Sequence, residues 1–348
     1  MKKKHSIVNW KEFLASRKNE FYVFFDKGRK KPIYEANDFK FQGTLGEGGF
    51  GRVYLVQHKK TRKEYALKVS NKAQLARRLT VNYAIGERKI LEAINFQFCI
   101  NSEFSFQDNS YLYIGLPFIC GTDMFNLLQY RIYLEEKHAK FYCGQVVLAI
   151  EYLHNIDIIH RDIKPENILI DVNGYIKLAD YGTSKIVKGR TYSMCGTEGF
   201  MAPEILLNMG HGKAVDWWCF GVLLFDVCAG RLPFTSPNTM RNAEKIILGI
   251  YCTPSYFSKL LTDLISNLLQ VDLTKRYGNL RRGVNDIKEH PWFNELHWMK
   301  LLNQKLTAPF RPKLTGIDDI LNLKFKQNKE IRLKVAKENM FGDLFINF

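Results

Sequence analysis

Lys68 stands in the run Tyr65-Ala66-Leu67-Lys68, while Asp162, Lys164 and Asn167 share the segment His160-Arg161-Asp162-Ile163-Lys164-Pro165-Glu166-Asn167. Ahead of the lysine lies Gly46-Glu47-Gly48-Gly49-Phe50-Gly51-Arg52-Val53, and later come Asp180-Tyr181-Gly182 and Ala202-Pro203-Glu204. Together these residue types supply a backbone cover for phosphates, a cation, a base and two hard oxygen ligands for metal. Those are the parts of a phosphoryl-transfer site. A glycine run alone says little; all the segments in this order are specific.

Each part has a physical reason. The glycines after Leu45 let a tight hairpin bring its N–H groups to phosphate oxygens with no Cβ in the way. A dinucleotide-binding loop has similar spacing but opens a helix, and here a strand follows. Lys68 would meet the α- and β-phosphates of ATP, held there by Glu87 from a helix. Asp162 would orient the attacking hydroxyl and accept its proton, and Lys164 would neutralise the transferring phosphate. Asn167 and Asp180 would hold two Mg²⁺ ions, which need few protein ligands because they keep much of their water.

The elements that must position these residues are legible in the hydrophobic pattern. At 348 residues the chain exceeds the usual single core, so two lobes are expected. Trp10, Phe13, Leu14, Phe21, Phe24 and Phe25 within residues 7–26 fall near helical spacing, and Lys27-Gly28-Arg29-Lys30-Lys31-Pro32 breaks that helix as a basic linker. Short strands are expected at 53–56 and 64–69, with a helix through 84–91; beyond Gly121 long helices dominate, as at 139–153 and 216–228. The boundaries are 1–38 for the helix and linker and 39–293 for the catalytic domain, divided into 39–118 and 119–293 with the hinge opening the second part. Residues 294–348 form an irregular tail. The fold class is α+β: a small β-rich lobe with one key helix, then a larger, mostly helical lobe.

Composition excludes several classes. Hydrophobic residues at 46% and charged residues at 25% suit a soluble globular protein, and the run 219–229 is broken by Asp226, so no membrane span is expected. Lys2, Lys3 and Lys4 precede no apolar stretch, so no secretory signal is expected, and lysine at position 2 excludes N-myristoylation. Seven cysteines without C-x-x-C pairs point to a reducing compartment, the cytoplasm, with the nucleus also open. The net charge of +16 is spread along the chain and matches no nucleic-acid recognition motif, so no specific nucleic acid is expected.

On these motifs the chain resembles the AGC group of eukaryotic protein kinases, and within it the catalytic subunits of cAMP-dependent kinases. The resemblance runs from Lys11-Glu12-Phe13-Leu14-Ala15 to the terminal Phe345-Ile346-Asn347-Phe348, through Val187-Lys188-Gly189-Arg190-Thr191, Cys195-Gly196-Thr197 and 268–286. It implies a bilobal kinase fold with an AGC-type tail and transfer of the ATP γ-phosphate to Ser or Thr. The implied nucleotide site comprises Leu45, Gly46, Glu47, Gly48, Gly49, Phe50, Gly51, Val53, Ala66, Lys68, Glu87, Leu116, Pro117, Ile119, Asp123 and Leu169. Val53, Ala66 and Leu169 would sandwich the adenine; the Pro117 carbonyl and the Ile119 N–H would face its edge. Thr197 would brace Asp162 and Lys164, Glu204 would pair with Arg276, and Phe345 and Phe348 would fold back onto the small lobe to fix the Glu87 helix.

The resemblance further implies that Asp123, Glu166 and Asp226 read arginines two and three residues before the target, with Met194 and Met201 lining a pocket for the residue after it. Ser193 stands at the activating phosphosite, with Arg161 and Lys185 to pair with its phosphate. Arg190 three residues earlier suits self-phosphorylation, and Arg77-Arg78-Leu79-Thr80-Val81 matches the implied target pattern better still. Departures from the pattern are Tyr181 for phenylalanine, Ala179 for threonine, Leu323-Lys324-Phe325-Lys326 for an acidic aromatic segment and Lys334 for a serine. Ala243 and Tyr192 replace aromatic residues that grip a cyclic-nucleotide-binding regulatory subunit, which stays a candidate partner beside arginine-rich protein substrates. Alternatives are another AGC kinase, such as the catalytic part of a cGMP-dependent kinase, or a pseudokinase scaffold. The latter would lack Lys68, Asp162 or Asp180, and all are present.

Overall fold

The computed structural model describes residues 9–49, 51–312, 331 and 333–348. Lys2, Lys3, Lys4, Phe50 and the Leu323–Lys326 segment lie outside them. The described chain divides into two compact units, Asn19–Gly121 with Pro312–Phe348, and Met1–Lys18 with Thr122–Arg311. The division falls inside the first helix, α1 (Trp10–Lys27).

The smaller unit is built on one antiparallel sheet of β1 (Phe39–Gly48), β2 (Gly51–His58), β3 (Glu64–Asn71), β4 (Phe104–Gln107) and β5 (Tyr111–Pro117), ordered β1-β2-β3-β5-β4. β-Branched and aromatic residues alternate along β2, β3 and β5, and one face buries Phe39, Tyr54, Val56, Tyr65, Leu67, Val69, Phe104 and Tyr113 together. After β3 come α2 (Lys72–Arg77) and α3 (Val81–Ala93). α2 starts where the Asn71 side chain accepts from the Gln74 N–H, a side-chain cap. α3 buries Ala84, Glu87, Ile90, Leu91, Glu92 and Ala93, so two carboxylates lie among its buried apolar residues; Glu92 is paired with Arg88 one turn earlier.

The larger unit is mostly helical: α4 (Met124–Arg131), α5 (Glu136–Asn155), α6 (Pro203–Leu206), α7 (Ala214–Ala229), α8 (Thr239–Leu248), α9 (Lys259–Leu268), α10 (Asn285–Lys288) and α11 (Trp298–Leu302). α7 is buried along nearly its whole length and α5 from Phe141 to Ile150, which explains the apolar run in each. β6 (Gly121–Asp123), β8 (Ile168–Asp171) and β9 (Ile176–Leu178) make one small sheet, and β7 (Ile158–Ile159) pairs with β10 (Lys185–Ile186) in another. Residues after Asn294 are not wholly irregular as expected, because Leu301 and Leu302 in α11 bury an apolar pair that calls for a helical turn. α1 begins at Trp10 among the described residues, close to the expected span.

Candidate active site

In the smaller unit, register decides which side chains share a face. Val53 lies opposite Lys68, Leu55 opposite Ala66, and Ala66 opposite Leu116. Residues two apart on a strand point the same way, so Val53, Ala66, Lys68 and Leu116 line one side of the sheet. Pro117 ends β5 opposite Tyr65, and Ile119 follows it outside the strand. Lys68 is buried, and its ammonium donates to Glu87 Oε1 on α3 at 2.5 Å. A paired, desolvated ammonium has little freedom, so the helix and the strand fix each other at this contact.

The glycine hairpin closes with Gly46 opposite Val53, Glu47 opposite Arg52 and Gly48 opposite Gly51. Gly51 is required by the fold, since its φ is +149° and a Cβ would lie 2.4 Å from the Val69 carbonyl oxygen. Gly46, Gly48 and Gly49 are different: a Cβ on any of them would meet no protein atom within 4 Å. Packing among the described residues therefore does not demand glycine there, whereas close approach of a phosphate to the backbone would. Arg78 Nη1 donates to the Gly49 carbonyl at 2.6 Å, a tie that sequence reasoning missed. Leu45 precedes the hairpin on β1.

In the larger unit Asp162 is held from three sides. Thr197 donates its hydroxyl to Asp162 Oδ1 at 2.6 Å, Lys164 approaches Oδ2 at 3.0 Å, and Asn167 Nδ2 reaches Oδ2 at 3.1 Å. Lys164 also donates to the Thr197 hydroxyl at 2.6 Å, which closes the ring Asp162–Thr197–Lys164. Asp162 can thus receive a proton from a hydroxyl brought beside it, while Lys164 stands ready to counter the charge of a phosphate.

A metal can be tested against what the neighbouring groups leave over. Asn167 spends its amide hydrogens on the Asp162 backbone carbonyl, at 2.7 Å, and on the Asp162 carboxylate, which leaves Oδ1 as an acceptor. Asp180 is exposed and sits at φ +59°, a left-handed conformation that Asp tolerates better than most residues. Among the described residues no cluster of three or more His, Cys, Asp or Glu side chains could hold a metal. Two oxygen ligands without such a cage suit Mg²⁺ bound together with a nucleotide, and the residues fit that group. When bound, such an ion offsets the negative charge of the phosphates.

The backbone beneath this loop hangs on a residue that sequence reasoning did not single out. Asp216, fully buried at the start of α7, accepts from the His160 N–H at 3.0 Å, the Arg161 N–H at 2.8 Å and His154 Nε2 at 2.8 Å. Burial by itself pushes its carboxyl up, but His154 and the surrounding donors outweigh that and hold it below the usual carboxylate range. Arg161 takes φ +70° there, so these bonds stabilise a strained turn. An acid in the apolar run Asp216-Trp217-Trp218 was the available signal. Tyr181 is buried with its ring 5.2 Å from that of His160, and its extra hydroxyl donates to the Leu178 carbonyl at 3.3 Å.

Ser193 Oγ accepts from Arg161 Nη1 at 2.7 Å, whereas Lys185 donates to Thr191 Oγ1 at 3.0 Å. Only one of the two expected cations therefore meets the unmodified serine, because Lys185 already has a hydroxyl nearer to hand. Glu204 and Arg276 form a buried two-point pair at 2.6 and 2.9 Å. Asp123 caps α4, accepting from the Asn126 N–H at 2.8 Å, and Leu169 lies on β8 opposite Lys177. Glu166 is exposed and Asp226 half-buried; burial first, then the Glu166 charge, pushes the Asp226 carboxyl up to about 6. Met194 is exposed and Met201 half-buried. In the smaller unit Phe345 is fully buried among Leu75, Ala84 and Leu112, with Phe348 packed on the same cluster.

Comparison with known proteins agrees with this chemistry. Residues 39–293 match the protein kinase domain family. The chain is 38% identical over 346 residues to the cAMP-dependent protein kinase catalytic subunit 2 of Drosophila melanogaster, covering 99% of this chain and 97% of that protein. It is 38% identical to the cAMP-dependent protein kinase type 3 of Saccharomyces cerevisiae, over 90% of this chain and 79% of the yeast protein. The human cAMP-dependent protein kinase catalytic subunit PRKX is likewise 38% identical, over 84% of this chain and 81% of its own length. With the α+β architecture, the paired Lys68 and the braced Asp162 in place, the chain belongs to the protein kinase family, as a serine/threonine kinase of the AGC group similar to cAMP-dependent kinase catalytic subunits.

Proposed function

We propose that this kinase phosphorylates Ser or Thr in sites of the form Arg-Arg-x-Ser/Thr-hydrophobic, with ATP and two Mg²⁺ ions. The observation that carries the reading is the pair Glu166 and Asp226: two carboxylates near enough to repel, one of them half-buried. Among the described residues no cation is paired with Asp226, so a guanidinium supplied by a substrate would relieve both the burial and the repulsion. Asp123 is the third acid of the proposed groove, and Met194 and Met201 offer apolar contact to the following residue.

In the proposed reaction Lys68, steadied by Glu87, holds the α- and β-phosphates beneath the glycine hairpin, including Phe50. Val53, Ala66 and Leu169 flank the adenine, and Pro117 and Ile119 meet its edge. Asn167 and Asp180 bind the ions, Asp162 takes the proton of the substrate hydroxyl, and Lys164 stabilises the moving phosphoryl group. Phosphorylation of Ser193 would add about −1.5 to −2 charges beside Arg161 and draw Lys185 across from Thr191. Phe345 and Phe348 would support α3 and hence Glu87. The named relatives are cAMP-dependent kinases, so control by a cyclic-nucleotide-binding subunit in the cytoplasm is part of the reading. Tyr192, exposed, and Ala243, half-buried, replace the aromatic residues that would grip such a partner, so its hold there would be weaker.

The test is ATP-dependent labelling of an arginine-directed peptide library, with Lys68→Ala and Asp162→Ala as controls. Arginine two and three residues before the target should be selected, and each Arg→Ala change should raise KM about tenfold or more. Equal labelling of peptides without arginine would overturn the specificity.

A further inference from the structure

The motif Arg77-Arg78-Leu79-Thr80-Val81 runs from the last residue of α2 through a three-residue turn to the first residue of α3. It has arginines three and two residues before a threonine and an apolar residue after it; the Ser193 segment has only Arg190 of the two. Arg77, Arg78 and Leu79 are all exposed, with Leu79 at 87%. Thr80 caps no backbone N–H with its side chain, and its hydroxyl makes only a long 3.3 Å bond to the Leu75 carbonyl. Leu79 takes φ +55°, a left-handed conformation that costs a residue with a side chain roughly 1–2 kcal/mol. The two arginines and Leu79 thus face solvent and Leu79 is strained, while Thr80 is half-buried. Taking the extended form a substrate groove needs would break the Thr80 N–H bond to the Leu75 carbonyl at 3.0 Å and the Arg78 bond to the Gly49 carbonyl at 2.6 Å, so modification requires local opening of the turn.

We propose that Thr80 is a self-phosphorylation site of this kinase, modified by a second copy of the chain; the inference rests on the arginine-directed reading above. One copy cannot serve as both enzyme and acceptor. Opening the turn would pull on the head of α3, whose Glu87 holds the same copy's Lys68. In the step Thr80 Oγ bonds to the γ-phosphorus of ATP, the bond from that phosphorus to the β–γ bridging oxygen breaks, and ADP leaves. The hydroxyl proton passes to Asp162 of the catalysing copy. The product phosphate carries about −1.5 to −2 charges, next to Arg77 and Arg78 in sequence and at the head of a helix whose first turn has no acidic residue.

The full chain is incubated with labelled ATP and mapped by phosphopeptide analysis, beside the arginine-directed library. Label is expected on Thr80 in the wild type. It should be lost in Thr80→Ala and reduced about tenfold or more in Arg77→Ala. It should be absent from Asp162→Ala alone, and should return on Asp162→Ala when wild-type enzyme is added. A chain that labels arginine peptides readily and leaves Thr80 bare overturns the inference and spares the specificity reading; so does label on Asp162→Ala by itself. A chain that ignores arginine in the library sinks the specificity reading instead.

Discussion

Asp226→Asn separates what this side chain costs the fold from what it gives to recognition. The Asp226 carboxyl titrates at about 6 in the folded protein against an ordinary 3.8, because burial and the Glu166 charge disfavour its ionised form. A raised folded value means the native state holds the proton more tightly than the unfolded chain. Stability is therefore greatest below pH 3.8 on this account, and is lost as pH rises through about 6. The difference of 6 − 3.8 at 1.36 kcal/mol per unit gives about 3 kcal/mol as an upper bound on the cost at pH 7. The Asn variant, similar in shape and without the charge, should be more stable at pH 7 by about 1–3 kcal/mol, with the gap closing by about pH 4. The same variant loses a charge-assisted contact with substrate arginine, about 1.5–3 kcal/mol, so KM for an Arg-Arg peptide should rise about ten- to a hundredfold. Urea denaturation at several pH values and steady-state peptide kinetics measure the two arms. A variant that is less stable at pH 7, or one with unchanged peptide KM, refutes the reasoning.

Other outcomes follow from the same contacts. Arg276→Met removes the cation of the buried two-point pair with Glu204 and should cost about 3–5 kcal/mol by chemical denaturation, most of it from the stranded carboxylate. Asp162→Asn should lower kcat about 10²–10⁴-fold while KM for ATP changes little, as expected of a proton acceptor rather than a nucleotide contact. Phe345→Ala empties a buried site against Leu75, Ala84 and Leu112 and should destabilise the smaller unit by about 3–5 kcal/mol, read by hydrogen exchange along α3. Ser193→Ala should remove most peptide kinase activity, and an enzyme at full activity with alanine there would exclude Ser193 as the activating phosphosite.

The sequence by itself determined the chemistry and the fold class, because phosphoryl transfer needs particular residue types at spacings that chance rarely assembles. Gly46 to Val53, Lys68, the run from Asp162 to Asn167, and Asp180 could each be assigned a task before any contact was known. Local pattern also marked α1, α3, α5 and α7 to within a few residues, since buried helical stripes persist over several turns. Long-range pairing was not legible, because nothing local encodes which distant group a side chain meets. Asp216, far along the chain, holds His160 and Arg161 in a strained turn, and Arg78 ties itself to Gly49. Lys185 lies on Thr191 rather than on Ser193, and Asp226 becomes a reluctant acid only once the fold buries it near Glu166. Residue identity sets what a group can do; burial and neighbours, which only the folded chain supplies, decide its charge, its orientation and its strain.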